Sequence, residues 1–338
     1  MTLTRTVSAA FAALVALVGP AMAQSGRLQI YSAYPDEHMR PLIRAFNQLH
    51  PNVTVAVSVQ PGEELMSTLE LEMRARNPRA DIVGLNEASI NALQERHKAL
   101  ESYAPAEIGK VREALRDKNG VVIPACVNPY LIQYNTNKIT AADAPKTWGD
   151  LLDPKFRNLV TMADPASSQS VHSFLWFQTQ YLPSRNVTPS GWDYFKRLGA
   201  NGVRLESSHG TIRDLTASGE RPIGIQLLAN GQTSARRGDP TALVWPPEGS
   251  PGEISAFAMV GASKNKEAAK AWLDFVVSQA GQAVMPNALS CAPVRNDVDY
   301  KLPGGASLSD MVIIPVDSAF ITKSRATQIS DFAKALGR

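Results

Sequence analysis

The chain has 338 residues, of which 44% are hydrophobic and 19% charged, and its formal net charge is +3. That length exceeds what one hydrophobic core usually serves, so two lobes are expected. The composition excludes a disordered chain, and so small a net charge gives no ground for nucleic acid or a membrane surface as partner.

Met1 to Ala23 carries one basic residue, Arg5, then an apolar run from Val7 to Val18 and the small-residue exit Ala21-Met22-Ala23 before Gln24. This is the layout of a cleavable secretory signal, with cleavage after Ala23. The run is shorter than the roughly 20 residues that cross a bilayer, and no later stretch is long and apolar enough to do so. A soluble chain outside the cytoplasm is expected.

Arg27 to Ser32 alternates and reads as a strand. Asp36 to Leu49 places Met39, Leu42, Ile43, Phe46 and Leu49 on one helical face, with Pro41 near the first turn or at a kink. Val53 to Ser58 is a second strand, Glu63 to Ala75 a helix, Asp81 to Gly84 a third strand and Ala88 to Glu95 another helix. This β/α alternation predicts a largely parallel sheet covered by helices, with functional groups at the carboxyl ends of its strands. Val122 to Ala125 and Tyr130 to Tyr134 read as strands crossing between lobes. Thr147 to Leu152 is a helical turn. Leu159 to Ala163 is a strand ending at Asp164-Pro165, a helix follows from about Ser170, and Pro222 to Leu228 is a further strand. Glu253 to Val260 alternates, and Lys266 to Gln282 is an amphipathic helix with Ala269, Trp272, Leu273 and Val276 inward. The lobes are expected to interleave in sequence: 24–125 with about 255–305, and 126–254 with about 306–338, after a signal over 1–23.

Two cysteines follow the leader, Cys126 and Cys291, and one pair has one connectivity. An oxidising compartment favours the bond, which closes a long loop worth roughly 4–5 kcal/mol in the entropy account; two free buried thiols are the alternative. No CxxC spacing supports catalytic cysteines.

The order of signposts resembles the periplasmic binding proteins of ferric-iron, phosphonate, phosphosugar and polyamine importers. The residues that carry it are Ile30-Tyr31-Ser32-Ala33, Ala80-Asp81-Ile82-Val83, Tyr134-Asn135-Thr136, Thr147-Trp148-Gly149-Asp150-Leu151, Leu152-Asp153-Pro154-Lys155-Phe156, Ala163-Asp164-Pro165-Ala166-Ser167-Ser168, Ser218-Gly219-Glu220, Pro246-Pro247-Glu248-Gly249 and Pro293-Val294-Arg295. The resemblance implies an α/β, two-lobed periplasmic-binding-protein fold of type II, each lobe a mixed, mostly parallel sheet flanked by helices. It implies capture of a solute and hand-over to the permease subunits of an ABC importer, with no chemical step and no cofactor. Aligned with ferric-binding members, Pro35 stands where they carry a His, Asn86 where they carry a Glu, and Ala229-Asn230 where they carry two Tyr. Glu87 lies one residue away. A ferric ion needs anionic oxygen ligands, so iron and metal are not expected.

Ser167-Ser168-Gln169-Ser170 lies between a strand and a helix, where free N–H groups and the positive helix end favour an anion; simple capping is the bland reading. Ser208-His209-Gly210-Thr211 repeats the arrangement, with His209 as a second donor or as an exposed loop residue. In the first lobe Ser32, Ala33 and Tyr34 form the matching loop. Asn86 and Glu87 either read hydroxyls or an amine, or cap the next helix, a role given rather to Glu87. Asn230 either contacts ligand or forms a turn. His172 is expected on a helix face, and His38, His50 and His97 in solvent. The expected ligand is a small anionic solute, a phosphonate or phosphorylated compound, bound by a monomer in the periplasm. Ferric iron or a polyamine is the rival ligand. A secreted hydrolase is the rival class, though no GxSxG, HExxH or HxH run is present.

Overall fold

The computed structural model describes residues 26–298, 300–302 and 311–338. The leader read over Met1 to Ala23 lies outside the described residues. The first β/α units are β1 (Gly26–Ser32), α1 (Asp36–Leu49), β2 (Val53–Val59), α2 (Gly62–Arg74), β3 (Ile82–Asn86) and α3 (Glu87–His97). β1 pairs in parallel with β2 and with β3. Leu28 and Ile30 point into the core, where α1 brings Met39, Leu42 and Phe46. Leu49, on the same stripe, closes the helix and stands 54% exposed. A periodicity shows which side is apolar and cannot show where the facing core ends.

β4 (Leu100–Glu101) and two short 3-10 turns lead to β5 (Ile123–Asn135). The two crossing strands expected here are one strand of 13 residues. Its prolines sit where a missing N–H costs little. Pro124 falls at a register shift opposite Ser255 and Ala256, and Pro129 lies where β5 leaves one set of partners for another.

The second set of units is β6 (Val160–Ala163), then α4 (Val171–Trp176), which runs through a π-helical turn at Phe177–Tyr181 into α5 (Leu182–Ser184), then α6 (Gly191–Ala200), β7 (Arg204–Glu206), α7 (His209–Ser218), β8 (Ile223–Leu227), α8 (Leu228–Arg237) and β9 (Thr241–Val244). β6 pairs in parallel with β7 and β8. The chain returns along β10 (Ser250–Val260), continues through α9 (Lys266–Val277), α10 (Gln279–Leu289) and β11 (Ala292–Pro293), and ends with β12 (Ile313–Pro315) and α11 (Ser318–Ala335). The single helix expected over 266–282 is broken at Ser278, whose side chain caps α10 by accepting from Gly281 N–H. Gly281 is required there: a Cβ would lie 1.9 Å from the Phe275 carbonyl oxygen.

The strand order is β2-β1-β3-β10-β5-β8-β6-β7. The first half of β5 pairs antiparallel with β10, and Tyr130–Asn135 pairs with β8 and β9. The two-lobed α/β fold follows, with parallel units on both flanks and antiparallel crossing strands between them. Buried side chains form two cores. One centres on Phe46, Phe257, Trp272 and Phe275, the other on Trp148, Phe174, Tyr194, Phe195 and Phe332.

Cys126 on β5 is bonded to Cys291, 165 residues away in sequence, next to β11, which pairs with β5 at Cys126 and Val127. Closing so long a loop restricts the unfolded chain by roughly 5 kcal/mol in the entropy account. Reduction, or the double change Cys126→Ser and Cys291→Ser, is expected to lower Tm by about 10 °C in a thermal melt. An unchanged Tm would show that native contacts alone hold β11 on β5.

Candidate functional site

The carboxyl end of β6 is turned by Asp164. Its carbonyl accepts from the N–H groups of Ser167 and Ser168, and its Oδ1 from Ala166 N–H. Among the described residues the N–H groups of Gln169 and Ser170 meet no acceptor, and α4 starts at Val171. One unit later Ser208 caps α7 by accepting from Thr211 N–H at 3.1 Å, with the Thr211 hydroxyl 3.0 Å away. The two helix starts are tied together: Ser170 Oγ lies 3.1 Å from His209 Nε2, and Ser168 Oγ lies 3.2 Å from Ser170 Oγ.

His209 is a buried hub, neither an exposed loop residue nor a free donor as expected. Only 8% of it is exposed, because α7 starts at His209 and packs it against Gln226 of β8. Gln226 Oε1 accepts from Leu227 N–H, and Gln226 Nε2 donates to the His209 carbonyl, so Oε1 is the atom facing His209 Nδ1 at 2.8 Å. Nδ1 therefore carries the proton, and Nε2 accepts. Burial pushes the imidazole down to about 4, so it is neutral at pH 7. The Tyr130 hydroxyl, fully buried, also lies 3.1 Å from Nε2. Tyr130 and Ser170 thus spend their hydroxyl protons on this hub and on each other, which leaves Ser168 and the free N–H groups as the donors of the loop.

The crossing strands carry the strip onward. Partnered residues share a sheet face, so Asn128, Glu253, Ser255 and Asn86 stand on one face. Asn128 Oδ1 accepts from Ala229 N–H at 3.0 Å, at the start of α8. Glu253 accepts from the Ser173 hydroxyl of α4 at 2.8 Å, and burial pushes its carboxyl up. Glu253 in turn raises the Tyr130 phenol, already pushed up by burial. On the far side the Tyr34 hydroxyl bonds the Leu85 carbonyl and accepts from Ala256 N–H at 2.8 Å, with Ser255 as a side-chain partner. Its ring meets Phe257 edge-on at 5.7 Å.

Several expected contacts are spent inside the protein. Ser32 is fully buried, and its hydroxyl closes the turn onto Tyr34 N–H; Ala33 N–H bonds the Gly84 carbonyl. Asn86, not Glu87, caps α3 by accepting from Ser89 N–H at 2.8 Å, because β3 runs to Asn86 and the helix starts at Glu87. Glu87 is half-buried with no hydrogen-bond partner among the described residues; burial first, then the nearby Asp117, pushes its carboxyl up to about 7. Asn230 and Gly231 lie within α8 and form no turn. Ser167 and Gln169 are exposed, and Gly210 sits in the first turn of α7. His172 is buried between Gln328 and the Pro165 carbonyl. His50 is half-buried and stacks on Phe46, and His97 is half-buried too. Residues missed from sequence are Tyr130, Ser173, Glu253 and Ser255. Glu253 had a signal, being the one acid in the alternating stretch Glu253 to Val260.

Among the described residues, no group of three His, Cys, Asp or Glu gathers at metal-binding spacing, and no helix is long and apolar enough to cross a membrane. Residues 41–305 match the family described as bacterial extracellular solute-binding protein. The chain belongs to this family. Solute binding outside the cytoplasmic membrane is what such a protein does. Two relatives carry provisional names. An ABC transporter periplasmic-binding protein of Sinorhizobium fredii is 24% identical over 275 residues, 78% of this chain and 76% of that protein. A 2-aminoethylphosphonate-binding periplasmic protein of Salmonella typhimurium is 27% identical over 191 residues, 55% of each. Among solved structures, the periplasmic binding protein AfuA of Actinobacillus pleuropneumoniae, with fructose-6-phosphate bound, superposes with a TM-score of 0.65 at 22% identity, covering 92% of this chain and 98% of that one.

The hub has a pH signature. The folded His209 pKa is lowered, so between pH 6.5 and about 4 the unfolded chain takes up a proton that the native chain refuses. This contribution is present above pH 6.5 and lost as pH falls, by about 3 kcal/mol at most. Glu87 acts oppositely, because its raised pKa makes the native form the better proton binder between about 4.5 and 7. Denaturant titrations of wild type and His209→Gln across pH 4–7 are expected to converge as pH falls; a constant difference would refute the buried neutral histidine.

Proposed function

We propose that the chain is the capture subunit of an ABC importer, a monomer that takes a small anionic organic solute, a phosphonate or phosphorylated compound, between its lobes. The observation that supports it most is the 3.1 Å contact between Ser170 and His209. It holds two strand-to-helix turns side by side, so that the free N–H groups of Gln169 and Ser170 and the first turn of α7 address one place. Backbone N–H groups at helix starts carry partial positive charge and need no side-chain cation to receive an oxyanion. Ser168 adds a hydroxyl donor, Asn230 at the start of α8 stands on the same lobe, and Asn86 and Glu87 at the end of β3 face the remainder of the solute from the other side.

The relatives named for 2-aminoethylphosphonate binding and the fructose-6-phosphate-bound structure agree with an anionic ligand. No step of bond making is required: the hydroxyls of Ser170 and Tyr130 lie against a histidine whose accepting nitrogen is shared between them and buried. Binding closes the lobes by adding contacts that exist only when both meet the solute, a shift in a hinged equilibrium.

A thermal-shift panel of phosphonates, phosphosugars, carboxylates, polyamines and ferric iron tests this reading. A phosphonate or phosphorylated compound at 100 times its Kd is expected to stabilise by about 2.7 kcal/mol. Ser168→Phe should abolish that shift with Tm of the free protein within ~2 °C of wild type, since Ser168 caps no helix. Stabilisation by a polyamine or iron alone would overturn the reading.

A further inference from the structure

We infer that Glu253, with Glu87 beyond it along the strip, selects the ligand for a positive charge: the solute carries an ammonium or other cationic group beside the anionic group received at the two helix starts. This deepens the proposed function and takes the place of the site from it. Glu253 stands where β10 passes between the lobes, opposite Asn128 and two residues before Ser255. One of its oxygens accepts from Ser173 Oγ at 2.8 Å, and among the described residues no other bond to its carboxylate is present. Its bonded neighbour is a neutral hydroxyl, and its charge reaches the Tyr130 phenol. Glu87 has no hydrogen bond, and the one charge acting on it is that of another acid, Asp117.

Other withdrawn charges are mostly spent inside the protein: Asp81 accepts from Gln29 N–H, the Ser263 hydroxyl and the Asn265 amide, whereas Glu248 accepts from backbone N–H groups, that of Trp148 among them. The buried Arg295 is held by Asp297 at 2.7 Å and Glu107 at 2.6 Å, and Glu206 is paired with Arg204 at 2.7 Å. A carboxylate drawn out of water with no counter-charge is costly, and the cost falls when a cation arrives with good geometry. A purely anionic solute would instead bring a like charge toward Glu253. A ligand with one group of each sign satisfies the N–H groups at the helix starts and, beside them, the carboxylate that α4 holds through Ser173. If Glu253 served only to receive the Ser173 hydroxyl, a glutamine would do as well, and this is the basis of the test.

Isothermal titration of the full chain with ethylphosphonate and 2-aminoethylphosphonate compares ligands that differ by one amine. The amine is expected to tighten binding by at least about tenfold. Glu253→Gln should bring the two affinities to within ~2-fold by weakening the amine ligand alone, Glu87→Gln should reduce the ratio partly, and Glu253→Asp should restore part of it. Equal affinities in wild type, or an unchanged ratio in Glu253→Gln with an unchanged Tm, overturns the inference. If neither phosphonate binds, the anionic reading of the site fails and putrescine decides the cation: binding that Glu253→Gln removes sustains the inference, and no binding overturns it.

Discussion

The backbone pairing of β5 with two different sets of partners is the constraint on which the remaining architecture depends. Ile123 to Pro129 belongs to the ladder with β10, and Tyr130 to Asn135 to the ladders with β8 and β9. One strand therefore fixes the distance and the rotation between two separately cored lobes. Ladder hydrogen bonds cannot slip by one residue without turning every side chain over, so the face carrying Asn128 and Tyr130 is set by the cores on either side. β10 runs alongside and adds Glu253 and Ser255 to that face. The disulfide at Cys126 ties the far segment around β11 to the same strand.

From this frame the chemistry of the strip follows as a set of assigned protons. Gln226 has no freedom, because a backbone N–H and a backbone carbonyl fix both ends of its amide. It fixes the tautomer of His209, whose accepting Nε2 in turn draws on the hydroxyls of Tyr130 and Ser170 as donors. Such a closed network in a dry place holds the two helix starts rigidly, a condition for binding without a large ordering cost. The free backbone donors at the helix starts adjoin the partly desolvated Glu253, which α4 holds through Ser173, while Glu87 follows the end of β3. Among the described residues no lysine or arginine is ion-paired to either acid.

Much of this was legible in the sequence wherever a local rule governed. The β/α alternation, the helix at Asp36–Leu49, the strand–turn–helix around Asp164 to Ser170 and the capping serine at 208 all depend on neighbours within a few residues. The reading failed where a residue's role is settled by partners far away. Asn86 caps α3 and Glu87 does not, since strand β3 is extended by pairing with β10. His209 looked like a loop donor, and its burial comes from Gln226, Tyr130 and Ser170, which lie 17, 79 and 39 residues from it in sequence. The strands read over Val122 to Ala125 and Tyr130 to Tyr134 are one, because pairing with β10 and then with β8 carries the chain through Pro129.

By itself the sequence determined the class of the protein: an α/β chain of two-lobed length, with serine-bearing turns at strand ends and one cysteine pair. Those properties are written in periodicity, spacing and composition, which are local or additive. The tertiary structure alone decided which polar groups remain free. A hydroxyl or carboxylate is available to a ligand only if no other segment has claimed it, and the claims on Ser32, Tyr34, Ser170 and His209 come from turns and strands that meet only after folding. The same folding brings Glu253 beside Ser173 and Tyr130 without a cation, a juxtaposition that no spacing along the chain records.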